Sequence, residues 1–240
     1  MNQVWLGTSG FSYPEWRQKF YPGDLPQKEF LRYYASRLNS VEIDSTFYRM
    51  PNARTLQTWR DSTTENFRFA LKASQRITHV DRLQVPSPSL NYLLGVVPNL
   101  EGRLGLVLYQ LPPSFKCDLA RLNAFLSALK PGVRSAFEFR HDSWYRPETY
   151  VLLRESRAAL CIHDADDRTT PLEVTAPFVY LRLRRSQYDA RRRETWIRRM
   201  GAWVEDGLEV FAYVKHEDNP DAPLIAQKFA EELGVLKRAA

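Results

Sequence analysis

The chain has 240 residues, of which 44% are hydrophobic and 26% are charged, and it contains 10 Gly and 15 Pro. This composition is typical of a globular protein and excludes a disordered, collagen-like or low-complexity chain. The formal net charge of +6 favours anionic partners without identifying them.

No window reaches the run of about 18 apolar residues that a membrane span needs, and residues 1–3 do not begin a signal peptide, so we expect a cytoplasmic protein without a membrane partner. Two cysteines, Cys117 and Cys161, are too few for a disulfide framework, and we expect both to be reduced.

Short runs rich in β-branched and aromatic residues alternate with longer amphipathic stretches along the whole chain, as in repeated βα units. The predicted strands are Val4–Ser9, Ser40–Asp44, Arg68–Ala73, Gly105–Gln110, Arg134–Phe139, Ala159–His163, Phe178–Arg182 and Glu209–Val214. The predicted helices are Pro26–Leu38, Ala53–Asp61, Leu119–Leu129, Pro147–Ser156, Arg191–Asp206 and Ala222–Leu233. The proline-containing connection 74–105 predicts a loop and a further helix in the third unit.

Eight βα units in a chain of this length predict an α/β fold, a single (β/α)₈ TIM-like barrel over residues 1–240. No flexible linker divides the chain into domains. The alternative is an open doubly wound sheet. The stretch Gly7-Thr8-Ser9-Gly10 disfavours that alternative, because it lacks the glycine spacing of a dinucleotide-binding turn.

Ionisable residues lie near the C-terminal ends of the predicted strands. Glu42 and Asp44 share one face of the second strand, and Glu138 and Arg140 share one face of the fifth, because side chains two apart point the same way. The other polar residues in such positions are Lys72, Gln110, Asp164, Arg182, Arg184 and Lys215. Active sites of (β/α)₈ barrels form at this edge, so the pattern predicts a polar site at the mouth of the barrel. An ion-pair network that only fills the mouth is the structural alternative.

Two glutamates and two histidines are the candidates for catalysis. Glu42 and Glu138 can act as a general acid and base if burial and nearby cations separate their pKa values. His79 and His141 follow the third and fifth strands, and we expect them to assist proton transfer.

Cationic side chains outnumber carboxylates near the strand ends, which favours a phosphorylated or acidic ligand. We expect these residues to bind the substrate: Asp44, Tyr48, Lys72, Gln110, Arg140, Trp144, Asp164, Arg182 and Lys215. Trp144 is the best candidate for stacking on a ligand, because it lies close to Glu138 and Arg140 in sequence. The expected partner is therefore an anionic small molecule.

Metal binding has weak support. The four histidines, His79, His141, His163 and His216, form no close ligand spacing. A metal site remains open only if His163 and Asp164 after the sixth strand, and Glu138 and His141 after the fifth, converge. There is also no serine nucleophile elbow and no phosphate-binding P-loop. We expect no metal and no cofactor, and the sequence leaves the oligomeric state open.

A basic stretch from Arg182 to Arg199 supports a second class of partner. It contains Arg191, Arg192 and Arg193, and the aromatic residues Tyr188 and Trp196 are interleaved with the cations. Such a composition suits phosphate backbones and stacked bases, so nucleic-acid binding is the alternative function. A solvated basic helix is the simpler interpretation of the same stretch.

Several motifs resemble the YecE-like family, also called the domain of unknown function 72 family. The motifs are Gly7-Thr8-Ser9-Gly10-Phe11-Ser12-Tyr13, Val41-Glu42-Ile43-Asp44-Ser45-Thr46-Phe47-Tyr48, Phe69-Ala70-Leu71-Lys72-Ala73, Tyr109-Gln110-Leu111-Pro112-Pro113, Phe137-Glu138-Phe139-Arg140-His141 and Tyr180-Leu181-Arg182. The resemblance spans nearly the whole chain and implies a TIM-barrel-like fold without an established reaction. Members tend to carry His-Gly where this chain has Arg184-Arg185, so the mouth is expected to be more basic here.

The sequence thus supports two hypotheses. The first is an enzyme, an isomerase, lyase or hydrolase, that acts by acid–base chemistry on a phosphorylated or acidic ligand, which can contain a sugar, at the mouth of the barrel. The second is a nucleic-acid-binding or nuclease-like barrel that uses the region from Arg182 to Arg199.

Overall fold

The computed structural model describes residues 4–215 and 220–235. Its strands are β1 Val4–Thr8, β2 Ser40–Ile43, β3 Arg68–Lys72, β4 Leu104–Gln110, β5 Ser135–Glu138, β6 Ala159–Asp164, β7 Phe178–Leu183 and β8 Glu209–Val214. Its α-helices are α1 Phe30–Ala35, α2 Ala53–Asp61, α3 Pro88–Val96, α4 Leu119–Ala128, α5 Pro147–Glu155, α6 Ala190–Glu205 and α7 Ala222–Glu232. The predicted alternation of strands and helices is confirmed, including a helix in the connection 74–105.

The eight strands form one parallel sheet in the order β1-β8-β7-β6-β5-β4-β3-β2, which closes into a nearly complete barrel. The predicted (β/α)₈ fold is therefore confirmed. Outside the first helix, the predicted boundaries agree with the structure to within one residue. The first helix differs more, because Gln27–Glu29 form a 3₁₀ turn and the α-helix begins only at Phe30.

Helix entry follows the local sequence. The side chains of Asn52, Ser87, Asp118 and Asp189 accept backbone N–H groups at the starts of α2, α3, α4 and α6. These contacts satisfy donors that the first turn of a helix leaves without partners. None of the helices within 4–215 and 220–235 is long and apolar enough to cross a bilayer.

The seam between β1 and β2 is held largely by side chains. Direct backbone pairing at the seam includes a bond of 2.6 Å from Gly10 N to Glu42 O. Below it, Asn39 accepts from Leu6 N at 2.8 Å and donates to Val4 O at 2.9 Å. The Tyr34 hydroxyl accepts from Thr8 N at 2.8 Å and donates to Ser40 O at 3.0 Å. The barrel closes because these two side chains replace missing strand-to-strand bonds.

The side chains inside the barrel form two zones. The zone nearer the N-terminal ends of the strands is apolar and includes Trp5, Leu106, Leu108, Ala136, Cys161, Phe178 and Phe211. The zone nearer the C-terminal ends is polar and includes Glu42, Glu138, Tyr180 and Arg182, which are all buried. Apolar packing thus closes the floor of the barrel and leaves the polar residues at its mouth.

Candidate active site at the barrel mouth

Arg182 of β7 lies at the centre of the polar zone and contacts residues of β5 and β2, neither of which neighbours β7 in the sheet. Its Nη1 donates to Glu138 Oε2 at 2.6 Å, and its Nη2 donates to Glu42 Oε1 at 2.6 Å. Weaker contacts reach Asp44 Oδ1 at 3.3 Å and Gln110 Oε1 at 3.4 Å. A guanidinium presents its N–H donors in a planar fork, so one side chain can hold two carboxylates in fixed positions.

Glu42 is buried completely, and both of its oxygens have partners. Oε1 accepts from Ser9 Oγ at 2.5 Å and from Arg184 Nη2 at 3.0 Å, in addition to Arg182. Oε2 accepts from the hydroxyl of Tyr180. The residues come from β2, β7 and the end of β1, so closing the barrel is what builds this carboxylate site.

Glu138 has a second cation beside it and a histidine nearby. Arg140 Nε donates to Glu138 Oε1 at 2.7 Å, and Arg140 Nη2 forms an ion pair with the same oxygen at 2.7 Å. His163 Nδ1 lies 3.6 Å from the same oxygen, which is too far for a hydrogen bond. Two arginines therefore neutralise Glu138, and the histidine lies at its edge.

The pKa values of the two glutamates move in opposite directions. Burial raises the pKa of Glu42 above its usual range, because desolvation outweighs the attraction of Arg182 and the charge of Asp44 adds to it. Burial also acts on Glu138, but Arg182 and Arg140 outweigh it and lower the pKa of Glu138 to about 2. Pairs of carboxyl groups whose environments separate their pKa values are typical of acid–base sites, and they also occur in structural ion-pair networks.

A cavity of about 480 Å³ opens above this network. It is lined by Asp44, Lys72, Gln110, Arg140, His163, Ala165, Asp166, Asp167, Arg182, Arg184 and Lys215. Six of the predicted site residues line it, namely Asp44, Lys72, Gln110, Arg140, Arg182 and Lys215, while Glu42 and Glu138 lie beneath them. The expectation that charged strand ends meet at one edge of the barrel agrees with this placement.

Asp164 does not belong to this cavity, contrary to the sequence prediction. Its carboxylate accepts from Trp196 Nε1 at 2.9 Å and Tyr188 Oη at 3.1 Å, and Arg185 Nε donates to it at 2.7 Å. The side chain of Asp164 lies on the outer face of β6, because the preceding residue His163 faces the barrel. Asp164 therefore connects β6 to α6 and to the residues that precede α6.

Trp144 is likewise not a ligand-stacking residue. It is completely buried, its ring stacks on Phe139 at a centroid distance of 4.6 Å, and its Nε1 donates to Phe115 O at 2.7 Å. The stacking prediction is wrong because the short helical turn Asp142–Trp144 turns the ring into the wall of the protein. Nearness in sequence to Glu138 did not bring it to the mouth.

The two histidines predicted to assist catalysis also lie outside the cavity lining. His79 packs edge-on against Phe47 at 4.9 Å and is 2.9 Å from Thr78 Oγ1. His141 accepts Ser143 N at its Nδ1 and so caps a helical turn. Tyr48, a predicted binding residue, is 76% exposed and is not part of the lining. Loop geometry, which the sequence did not reveal, directs all three away from the cavity.

His163 and Arg184 are not among the residues predicted above to bind a ligand or to catalyse, although Arg184 is one of the polar residues at the strand ends. Both line the cavity, as do Asp166 and Asp167 in the loop that follows β6. Arg184 is two residues beyond Arg182, so the alternation of side chains was a usable signal for it. His163 had no such signal, because residues 159–162 of β6 are apolar on both faces and the sequence does not show whether His163 or Asp164 points inward.

Within residues 4–215 and 220–235, no three side chains of His, Cys, Asp or Glu lie close enough together to hold a metal ion. His216, one of the histidines considered above, lies outside these ranges. Neither cysteine of the chain is in a disulfide; Cys161 is buried inside the barrel and Cys117 is partly buried.

The aromatic residues of the basic stretch are not available to stack on bases. Trp196 and Tyr188 are buried, and both donate to Asp164. Arg193 is held by Tyr188 O at 2.7 Å. Arg191 and Arg192 remain exposed on α6. The stacking part of the nucleic-acid hypothesis is therefore wrong, and an exposed basic helix remains.

Comparison with known families decides the relationship. The family model described as "Protein of unknown function DUF72" matches residues 5–240. The chain belongs to the DUF72 family. The resemblance inferred from the sequence motifs is thus confirmed.

Among curated relatives of this DUF72 protein, the UPF0759 protein YunF of Bacillus subtilis is 30% identical over 186 residues, which cover 73% of this chain and 64% of YunF. The UPF0759 protein YecE of Escherichia coli K12 is 28% identical over 143 residues, or 59% of this chain and 50% of YecE. The chain thus spans less than two-thirds of the length of either curated relative.

Solved DUF72 structures have the same fold. A DUF72 protein from Thermotoga maritima is 25% identical with a TM-score of 0.78, covering 96% of this chain and 99% of that one. A DUF72 protein from Enterococcus faecalis is 19% identical with a TM-score of 0.78, covering 98% and 97%, and it supports the fold alone. None of these four descriptions names a substrate or a reaction.

Proposed function

We propose that this DUF72 protein is an enzyme that binds a small phosphorylated or acidic molecule at the mouth of the barrel and acts on it by acid–base chemistry. One observation carries the proposal: cationic side chains from separate strands line a single cavity. Lys72 ends β3, Arg140 follows β5, Arg182 and Arg184 lie at the end of β7, and Lys215 follows β8. Convergent charges at this edge of a barrel are typical of ligand sites.

The cations that line the cavity differ in the partners they already have within the protein. Arg182 is already paired with two buried carboxylates, so it serves mainly to hold Glu42 and Glu138. Lys72 is different, because its Nζ lies over the ring of Phe47 at 4.3 Å. Burial and the charge of Arg182 lower the pKa of Lys72, and an anion beside it would relieve that repulsion. Lys72 is therefore the cation that we expect to depend most on a bound anion.

Two arginines of the cavity lining also have buried donors without an acceptor within residues 4–215 and 220–235. The Nε atoms of Arg182 and Arg184 are buried and make no hydrogen bond to another described residue. A buried N–H without an acceptor costs about 1–3 kcal/mol. Both arginines line the cavity, and the oxygens of a phosphate or carboxylate are strong acceptors for guanidinium donors.

Calorimetric titration with inorganic phosphate tests the binding half of the proposal. We expect saturable binding by the wild type, and Lys72→Met should weaken it by about tenfold, equivalent to about 1.4 kcal/mol. Lys28→Met is the matched control, because it removes the same charge from an exposed position. Absence of phosphate binding, or an equal effect of both substitutions, contradicts the proposal.

Catalysis is tested separately with a screen of phosphorylated and carboxylated metabolites for turnover. A substrate found in this way should lose turnover in Glu138→Gln, because the substitution removes the charge that Arg140 and Arg182 hold beneath the cavity. Glu148→Gln alters an exposed carboxylate bound to Arg146 and serves as the control. Unchanged turnover in Glu138→Gln would remove Glu138 from the mechanism.

Nucleic-acid binding remains the second candidate because exposed cations follow one another on α6. Arg191, Arg192 and Arg198 are exposed there. Binding through phosphate contacts predicts that the affinity for a single-stranded oligonucleotide falls steeply with salt, and that replacing these three arginines by glutamine flattens the dependence. Absent or salt-independent binding dismisses this candidate.

A further inference from the structure

A second, smaller cavity adjoins the one at the mouth. Its volume is about 250 Å³, and its lining residues are Pro113, Glu138, Phe139, Arg140, His163, Asp167, Arg168 and Thr170. Arg140, His163 and Asp167 line both cavities, so these three residues form the wall between them. The two cavities are called the large lobe and the small lobe below.

The large lobe is the more cationic of the two. Lys72, Arg182, Arg184 and Lys215 line it and do not line the small lobe. The small lobe has two arginines, Arg140 and Arg168, which are balanced by the carboxylates Glu138 and Asp167. Its lining also includes the apolar residues Phe139 and Pro113. Carboxylates accept hydrogen bonds from hydroxyl groups, and apolar faces pack against C–H groups, so a polyol matches this lining.

His163 is held firmly in the wall. It lies on β6 in register with Arg182 on β7, and its backbone N–H donates to Thr170 Oγ1 at 2.8 Å. Its side chain is 13% exposed, so part of the ring reaches the cavities while the rest is enclosed. Within the part of the chain that the structure describes, the buried Nδ1 has no hydrogen-bond partner. Its nearest carboxylate oxygen is Glu138 Oε1, 3.6 Å away.

We propose that the two lobes bind a phosphorylated polyol, with the phosphate in the large lobe and the hydroxyl-bearing carbons in the small lobe, and that His163 is the group that exchanges a proton with it. Glu138 is the positioning residue for His163. This inference rests on the proposed function, because it names the substrate class and the proton acceptor of the same site.

The proton transfer follows from the two ring nitrogens. A neutral imidazole that carries its proton on Nδ1 directs the N–H toward Glu138 and leaves the lone pair of Nε2 for the ligand. Nε2 accepts the proton of a ligand hydroxyl, the electron pair of that O–H bond stays on the oxygen, and Glu138 stabilises the imidazolium. The return step delivers the proton from Nε2 to the ligand. The present separation of 3.6 Å needs only a small rotation of the ring, and such contacts often tighten when a ligand binds.

Burial and the nearby arginines favour the neutral form of the His163 ring. Burial lowers the pKa of His163, and the charges of three arginines lower it further. The negative charge of Glu138 raises the pKa and so opposes these effects. The charged groups around the ring are Glu138, Arg140, Arg182, Arg168 and Asp167. A neutral imidazole is the form that can accept a proton.

Nitrogen-detected NMR of the histidine rings tests the dyad without a substrate. We expect His163 to be a neutral Nδ1–H tautomer at pH 7. The ring signals of His163 are assigned as those that disappear in the variant His163→Gln. His141 is an internal standard for the opposite tautomer, because its Nδ1 accepts a hydrogen bond from Ser143 N. An Nε2–H tautomer for His163 overturns the proposed role of Glu138.

The pH titration of the same signals adds a second readout. Glu138→Gln should lower the pKa of His163 further, because it removes the negative charge that opposes the effect of burial. Glu148→Gln, at an exposed site, should leave it unchanged. Equal titration curves for the two variants also overturn the positioning role, and the wild-type tautomer decides the question if Glu138→Gln does not fold.

Binding of glycerol 3-phosphate and inorganic phosphate tests the two lobes. Glycerol 3-phosphate should bind about tenfold more tightly, equivalent to about 1.4 kcal/mol, and should shift the His163 ring signals more than phosphate does. His163→Gln should reduce this preference toward a ratio of one. If both compounds bind with equal affinity, the proposed polyol site in the small lobe is wrong, while the proposed function stands. Binding of neither compound overturns both.

Discussion

Arg182 Nη1 donates to Glu138 Oε2 across the inside of the barrel at 2.6 Å, and both side chains are almost completely buried. Burying either charge alone would cost several kcal/mol, so neither residue can be understood without the other. The ion pair lies beneath the cavity at the mouth and holds Glu138 in a fixed position.

Removing the central guanidinium should destabilise the protein strongly. Arg182→Met leaves Glu42 and Glu138 buried with fewer partners, and we expect a loss of about 3–5 kcal/mol in the free energy of unfolding. Urea denaturation at pH 7 measures the loss. Arg146→Met breaks an exposed pair with Glu148 and should cost less than about 1 kcal/mol. Similar stabilities for the two variants would show that the network contributes little.

The low pKa of Glu138 predicts a specific acid sensitivity. A carboxyl group whose pKa falls from an ordinary 4.5 to about 2 on folding binds its proton less readily in the folded protein. Its contribution of about 3 kcal/mol is present above pH 4.5 and is lost as the pH falls toward 2. Denaturation between pH 2.5 and pH 6 should therefore show a steep decline that Glu138→Gln reduces. Glu42→Gln should not reduce it, because the pKa of Glu42 moves in the opposite direction.

Asn39 should be essential for closing the seam. Its side chain satisfies Leu6 N and Val4 O, and Asn39→Ala would leave both groups buried without partners. We expect a loss of about 2–4 kcal/mol and faster hydrogen exchange at the Leu6 amide. Asn123→Ala, on the exposed face of α4, should change stability by less than about 0.5 kcal/mol. Slow exchange at Leu6 in the Asn39 variant would mean that other bonds hold the seam.

Gly7 should not tolerate a side chain. A Cβ atom added there would lie 1.8 Å from Ser40 O and 2.8 Å from the Tyr34 hydroxyl, so β1 and β2 would have to separate. Gly7→Ala should therefore lower the melting temperature or prevent folding. Gly95→Ala is the matched control, because a Cβ in α3 meets nothing within 4 Å and should stabilise the helix by up to about 1 kcal/mol. A stable, native-like Gly7→Ala protein would contradict the close approach.

Sequence reasoning identified the polar groups of β2, β5 and β7 correctly because alternation is a local property. Once Glu42 and Glu138 are placed on strands beside apolar neighbours, their shared inward direction follows. The same rule failed for Asp164, since residues 159–162 of β6 are apolar on both faces and nothing local identifies the inner face of the strand. The prediction for Trp144 failed for a related reason. Its closeness in sequence to Glu138 suggested that it faces the cavity, but the helical turn Asp142–Trp144 points its ring away from the mouth.

By itself, the sequence determined the order of strands and helices, the barrel and the collection of charges at the C-terminal ends of the strands, because these depend on periodicity and on the short range of backbone preferences. Only the tertiary structure decided that Arg182 joins Glu42 to Glu138, that His163 faces the cavity and that Asp164 does not. These are contacts between strands far apart in the chain. Their geometry is set by how the closed sheet packs, and packing depends on all strands at once.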